Sequence, residues 1–309
     1  MLVGQIEHFA LVPPGSEQAG AATMTVRGIP VILPRNLLVT MPGQYLTPQD
    51  LFRGPAAGAV QGSSGLALED PAPPRVPFEA ELQGNIVGNQ YIAGVARLTQ
   101  GALHVGSGFV QAIDGASGEL RVGAQGGASG ARVRLNDPKG IYGQANGAGA
   151  KAALPLDQRF SLDPDNSPVH ARTGFPVCVA RAAGDALCPA GNRPADPNAR
   201  RYTCGAVSAE ALAPALPGCD PRRPAPLRMG DHVAYVGMLV PDPAGGFVVA
   251  AHGLEAEVRI YTSPGAEPVY VFIEEALMGT VGPPFDGVPQ EGTSRVRVVG
   301  FTTHPPRPA

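Results

Sequence analysis

Short apolar runs, cut by glycine and proline, constrain this chain more than any other feature. Of 309 residues, 41 are Gly and 34 are Pro. They interrupt the sequence before most runs reach the ten or twelve residues a helix needs. What remains reads as strands. Met24-Thr25-Val26 and residues 29–33 flank a turn at Arg27-Gly28. Residues 108–113 turn at 114–118 and return over 119–122. Residues 131–135 (Ala-Arg-Val-Arg-Leu) alternate apolar and cationic, the pattern of a half-buried strand. Residues 232–240 turn at 241–246 and return over 247–252.

These pieces read as one unit used repeatedly: a Gly-led strand, a turn, a return strand and a third strand. Copies span 4–39, 105–135 and 230–261. Met278-Gly279-Thr280-Val281 with residues 295–299 makes a partial fourth. A three-strand meander closed by further strands is how small OB-like Greek-key barrels begin. The expected fold is therefore all-β: two or three small OB-like barrels or sandwiches with a disulfide-stapled long loop. The expected parts are an N-terminal β unit (1–53), a linker (54–80), a central β domain (81–181), an irregular insertion (182–228) and a C-terminal β domain (229–309). Helix signals are few. Thr47-Pro48 can start one short turn, and 208–212 is a second candidate.

Composition narrows function. Hydrophobic residues make up 44% of the chain, too many for a disordered one. The net charge of −3 argues against a nucleic-acid surface or a polybasic membrane patch. No run of about 18 apolar residues offers a membrane span. Only two lysines occur, Lys139 and Lys151, and neither sits in a Schiff-base or Walker motif. The glycine-rich stretch 123–130 lies between two strands with no helix after it, and so reads as a hairpin loop rather than a phosphate cradle.

Cys178, Cys188, Cys204 and Cys219 all fall within one Pro-, Arg- and Asp-rich stretch. No C-x-x-C occurs, which argues against a zinc ribbon or a thioredoxin-like motif. An even number in an irregular segment suits two disulfides. Three connectivities are possible; the sequential one is favoured because its loops are short. Disulfides place the chain in an oxidising compartment, extracellular or periplasmic. Residues 1–5 lack a basic and apolar leader, so the expectation is a leader peptide absent from this chain.

The densest polar cluster runs from Arg132 to Arg181. Asp163, Asp165 and Asn166 offer oxygen ligands within four residues, part of what a calcium ion needs. Alternatively Asp137, Asp163, Asp165 and His170 do acid–base work beside Arg134. The structural reading of the same residues is a network of Asx turns and Arg–carboxylate pairs that holds a long loop on a barrel.

Further residues carry a resemblance: Asn85-Ile86-Val87-Gly88-Asn89, Tyr91-Ile92-Ala93-Gly94, the run from Arg132 to Gly140, and Thr173-Gly174-Phe175-Pro176-Val177-Cys178. Leu187-Cys188-Pro189, Ala250-Ala251-His252 and residues 260–265 and 299–303 continue it. The chain resembles a group of uncharacterised, predicted secreted β-rich proteins of filamentous fungi and bacteria. That resemblance implies secretion and a Cys178–Cys188 disulfide, and it transfers no catalytic residue. Fungal members continue past Ala309, which implies an incomplete last β unit. The strand–turn–strand units are also similar to OB-like domains of bacterial exported proteins.

Two functions are consistent with these residues. One is a secreted, non-catalytic extracellular or cell-surface protein that binds a partner, an envelope component or itself, with no cofactor. The other is a secreted hydrolase with its site around Arg134, Asp137, Asp163, Asp165 and His170. A pocket that gathers those side chains favours the enzyme. Carboxylates already committed to turns favour the binding protein.

Overall fold

The computed structural model describes residues 1–16, 19, 21–52, 62–100, 104–278 and 296–304. The chain is all-β and carries two closed five-stranded barrels. In barrel one, β1 (Leu2–Leu11), β2 (Ala22–Val26) and β3 (Ile29–Leu33) form an antiparallel meander. Arg27 and Gly28, at φ 53° and 71°, make the two-residue turn that such a hairpin requires. The short β4 (Val39–Thr40), β5 (Tyr45–Leu46) and the single-turn α1 (Pro48–Leu51) follow. The start of α1 is a capping box: the Asp50 N–H donates to the Thr47 hydroxyl at 3.3 Å, and the Thr47 N–H donates to the Asp50 carboxylate at 3.2 Å. The hairpin of β6 (Glu79–Val87) and β7 (Gln90–Thr99) then closes the ring. β6 pairs antiparallel with β1, and β7 pairs parallel with β3, giving the cyclic order β1-β2-β3-β7-β6.

Alternation builds the core of this barrel. Ala22, Met24 and Val26 point inward from β2 and join Ile6, Leu33, Leu82 and Leu98. Leu66, Ala67 and Phe78, in the segment read as a linker, are buried in the same core. The Leu68 and Glu69 N–H groups donate to the Ile6 and Glu7 carbonyls. Residues 54–61 of that linker lie outside the described residues.

Barrel two repeats the ring. β8 (His104–Asp114), β9 (Glu119–Gly123) and β10 (Gly130–Leu135) form its meander. A long excursion, residues 136–231, carries β11 (Val169–Ala171), β12 (Val177–Cys178), β13 (Arg201–Cys204), β14 (Ala215–Leu216) and β15 (Ala225–Pro226). The hairpin of β16 (His232–Pro241) and β17 (Phe247–Ala256) closes the barrel, antiparallel to β8 and parallel to β10. The sequence reading places these two strands in a third repeat and a C-terminal domain. In the structure they complete barrel two, because Val233, Val249, Ala251 and Leu254 share one core with Val110, Leu120 and Val133.

The two barrels share fine structure as well as order. In each, the first strand bulges at one residue, Glu7 or Gln111, whose side chain caps the turn between the second and third strands. Glu7 accepts the Gly28 N–H at 2.9 Å, and Gln111 donates to the Ala124 carbonyl at 2.8 Å. In each, the fifth strand bulges opposite the fourth, at Gly94 or His252.

Both disulfides form, Cys178–Cys188 and Cys204–Cys219. They staple an excursion that polar ties also hold. Arg193 and Asp231, both side chains fully buried, make two hydrogen bonds of 2.8 and 3.0 Å. The buried Tyr202 hydroxyl donates to the Asn192 carbonyl at 2.6 Å. Beyond the barrel, β18 (Arg259–Thr262) pairs with β13, and β19 (Val271–Met278) pairs with β20 (Val296–Thr302). Of the partial fourth unit (278–281 with 295–299), residues 279–281 and 295 lie outside the described residues, and Met278 pairs with Val296 at the end of the β19–β20 hairpin.

The barrels are packed into one body. Phe160, from the excursion of barrel two, stacks on Phe78 of barrel one with ring centroids 4.9 Å apart. The buried Arg159 guanidinium donates to the carbonyls of Leu51 (2.6 Å) and Ser64 (2.7 Å). Met238 of β16 is buried in the core of barrel one.

Candidate functional site

Two surface features arise from this packing: a polar cleft between the barrels and an apolar arm on barrel one. The cleft, about 470 Å³, forms where the β4–β5 turn meets the excursion, and its lining includes Gln44, Asp50, Asp137, Lys139 and Asp165. Gly43 lets the two backbones approach, since a Cβ there would stand 2.6 Å from the Ser161 carbonyl. Asp137 is fully buried. Its Oδ2 accepts the Tyr142 N–H at 2.7 Å, and its Oδ1 has no donor among the described residues.

The structure brings together only part of the sequence-predicted cluster. Asp137 and Asp165 line the cleft. Asp163 is committed to an Asx turn, accepting the Asp165 N–H at 2.9 Å and the Asn166 side-chain amide. Arg134 is buried under the loop it closes, donating to the carbonyls of Lys151 (2.9 Å), Ala145 and Ala148 (both 3.2 Å). Burial pushes its guanidinium pKa down from the ordinary value. His170 sits on β11 outside the cleft lining, with its ring 4.5 Å from Phe272 and Nδ1 2.9 Å from the Ala171 carbonyl. Among the described residues, no group of three or more His, Cys, Asp or Glu side chains gathers to hold a metal ion. Among the described residues, neither Asp137 nor Asp165 is hydrogen-bonded to a His, Ser or Cys side chain.

Beside Arg134, one strand position pair away, lies an ion network that sequence reading missed. Arg132 meets Glu119 at 2.7 and 3.0 Å and also reaches Asp242, and Lys151 Nζ is 2.7 Å from Asp242. The Lys151 ammonium leads in holding the Asp242 carboxyl well below the usual carboxylate range. One of the two lysines is thereby tied to the turn between β16 and β17.

The arm is the far half of the β6–β7 hairpin. Gly88 and Asn89, at φ 55° and 63°, form a tight two-residue turn. At the bulge that aims the arm, a Cβ on Gly84 would stand 1.9 Å from the Ile92 carbonyl, so the strands close only over glycine. Ile86 is 62% exposed, Val87 58% and Tyr91 44%. Beneath them Leu2, Ile29, Val31, Leu82 and Ile92 line a groove of about 310 Å³. From Gln83 to Ala96 no residue is charged; Glu81 and Arg97, just outside, pair with each other at 3.3 Å. The signal was present in the sequence as a Gly-Asn turn inside a charge-free, apolar stretch.

Compared with protein families, curated proteins and solved structures, the chain matches none. Both disulfides fit an oxidising compartment, and among the described residues no helix is long and apolar enough to cross a membrane.

Proposed function

We propose that this chain is a non-catalytic binding protein of the extracellular or periplasmic space. Its rigid pair of barrels presents the β6–β7 arm to a partner. The observation that carries this reading is the arm itself: a charge-free hairpin with three large apolar side chains in solvent, above an apolar groove. Contiguous apolar surface of this kind marks interaction sites, whereas isolated exposed apolar residues do not. The commitment of Arg134 and Asp163 to loop and turn closure adds to it.

The hydrolase alternative draws on one feature, Asp137 and Asp165 in the lining of the inter-barrel cleft. It has less support, because Arg134 and His170 stand apart from them.

Site-directed photo-crosslinking in the cells that naturally make the protein tests the binding reading. A photo-reactive residue replaces the exposed Gln90 on the arm, and another replaces the exposed Met229 as a control. Covalent adducts from position 90 and none from 229 are expected. An arm that yields no adduct, or no more than the control, overturns the reading.

A further inference from the structure

The cleft between the barrels holds charged side chains that the described residues leave unpaired. Two others in its lining are committed. Asp50 closes the capping box of α1, and Arg159 meets Asp157 at 2.6 Å. Three remain: Asp137, Lys139 and Asp165. Asp137 is fully buried, its Oδ2 is taken by the Tyr142 N–H, and its Oδ1 has no donor among the described residues. Tyr142 stands outside the lining, while Asp137 belongs to it. A carboxylate oxygen buried without a donor costs more than an ordinary hydrogen bond returns. Lys139 and Asp165 are exposed, and neither side chain makes a hydrogen bond or ion pair with another described residue. The cleft therefore holds both signs of charge, kept apart from each other.

We infer that the cleft binds a small zwitterion, an α-amino acid or a short peptide with free ends. Its ammonium donates to Asp137 Oδ1 and to Asp165, and its carboxylate meets Lys139. The signs present select this class. A simple anion would meet two carboxylates for one ammonium, and a simple cation would leave Lys139 without a partner. A ligand with both charges serves all three groups, through charge-assisted bonds that strengthen in a partly enclosed site. A metal ion fits less well, because no three His, Cys, Asp or Glu side chains gather to hold one among the described residues. The volume, about 470 Å³, is that of a small-molecule site. Its walls are preformed. The Phe78–Phe160 stack and the Arg159 bonds to the Leu51 and Ser64 carbonyls fix one barrel on the other beside it, which keeps the ordering cost low. The cleft shares no lining residue with the groove under the arm, so the two sites stand independently.

Proton–nitrogen NMR titration of the full chain with L-alanine and with L-alanyl-L-alanine, each to about 10 mM, tests this. The amides of Lys139, Tyr142 and Asp165 should shift and saturate, while those of Ile86 and Tyr91 on the arm stay in place. Saturable binding of either probe supports the inference, and the tighter of the two sets the size of ligand. The dipeptide with its amine acetylated, and the dipeptide with its carboxylate amidated, should each bind about 10-fold more weakly or worse. Asp165→Asn and Lys139→Gln change exposed positions, so their melting temperatures should hold. Each should weaken the preferred probe by about 10-fold. Asp137→Asn should abolish binding; its position is buried, so the two surface variants decide the matter if it fails to fold. No saturable shift with either probe overturns the inference. Undiminished binding of either blocked dipeptide does the same, as does binding that either surface variant leaves unchanged.

Discussion

Barrel one and barrel two close the same five-stranded ring in the same order, yet they dispose of their loose ends differently. Each ring leaves two: the connection from its third strand to its fourth, and the hairpin of its fourth and fifth strands. Barrel one crosses the first gap with residues 34–78, which bury Leu51, Leu66, Ala67 and Phe78 in its own core. Barrel two uses residues 136–231, which hold themselves with two disulfides and a buried ion pair as well as apolar contacts. The second gap is reversed: the closing hairpin of barrel two is packed against barrel one, while the far half of barrel one's hairpin keeps Ile86, Val87 and Tyr91 exposed among the described residues. The shorter connection is anchored by apolar burial, by β4 pairing with β7 and by hydrogen bonds such as Ser64 to Asp70, without a disulfide. A long irregular one has little core per residue and needs covalent and polar ties.

The largest test of that contrast removes one polar tie. Asp231 accepts both Arg193 contacts, and Arg200 lies 3.1 Å away. Asp231→Ala leaves a fully buried guanidinium without its counter-charge, a change worth about 3–5 kcal/mol. Chemical denaturation should show a loss of this size. Native-state hydrogen exchange should accelerate first in β13 and β15, while β2 keeps its protection. Equal acceleration in both barrels would mean that the excursion is not the separately tied element described here.

The fifth-strand bulge provides a smaller and reversible test. Barrel one places an exposed glycine there, Gly94, and barrel two a largely buried histidine, His252, with no partner for Nε2 among the described residues. Burial lowers the His252 pKa to about 4, from an ordinary 6.5. The folded protein therefore resists a proton that the unfolded chain accepts. Stability should be level above pH 6.5, fall as pH drops, and have lost about 2–3 kcal/mol by pH 4. Below that, protonation of Asp242 adds a further loss, since its carboxyl is held low by Lys151 and its neighbours. His252→Leu should flatten the curve between pH 6.5 and 4. A wild-type curve already flat over that window would show that the bulge tolerates the imidazolium.

Much of this architecture was legible in the sequence because it is local. The hairpin at 22–33 and the three-strand meander at 108–135 announce themselves by alternation and turn residues, and the cysteine spacing favours the pairing that forms. The closing hairpins were not legible in the same way. Alternation in residues 232–252 says that a hairpin has one buried face, and nothing in it says which barrel that face completes. Density in sequence also misled about convergence in space. Asp137 and Asp165 meet at the cleft, but Arg134 turns under its own loop and His170 lies on another strand. The arm was hardest to see, since Ile86, Val87 and Tyr91 read as core residues until the ring order shows that the barrel has closed without them.

Gln100 offers the smallest perturbation and bears most directly on how barrel one covers β16 of barrel two. It is buried at the end of β7, and its side chain both accepts the Leu239 N–H and reaches the Leu239 carbonyl at 3.5 Å. Gln100→Ala removes both contacts, at a cost of about 1–2 kcal/mol. Exchange of the Leu239 amide should then quicken by about 5- to 30-fold, with little change in β2 or β3.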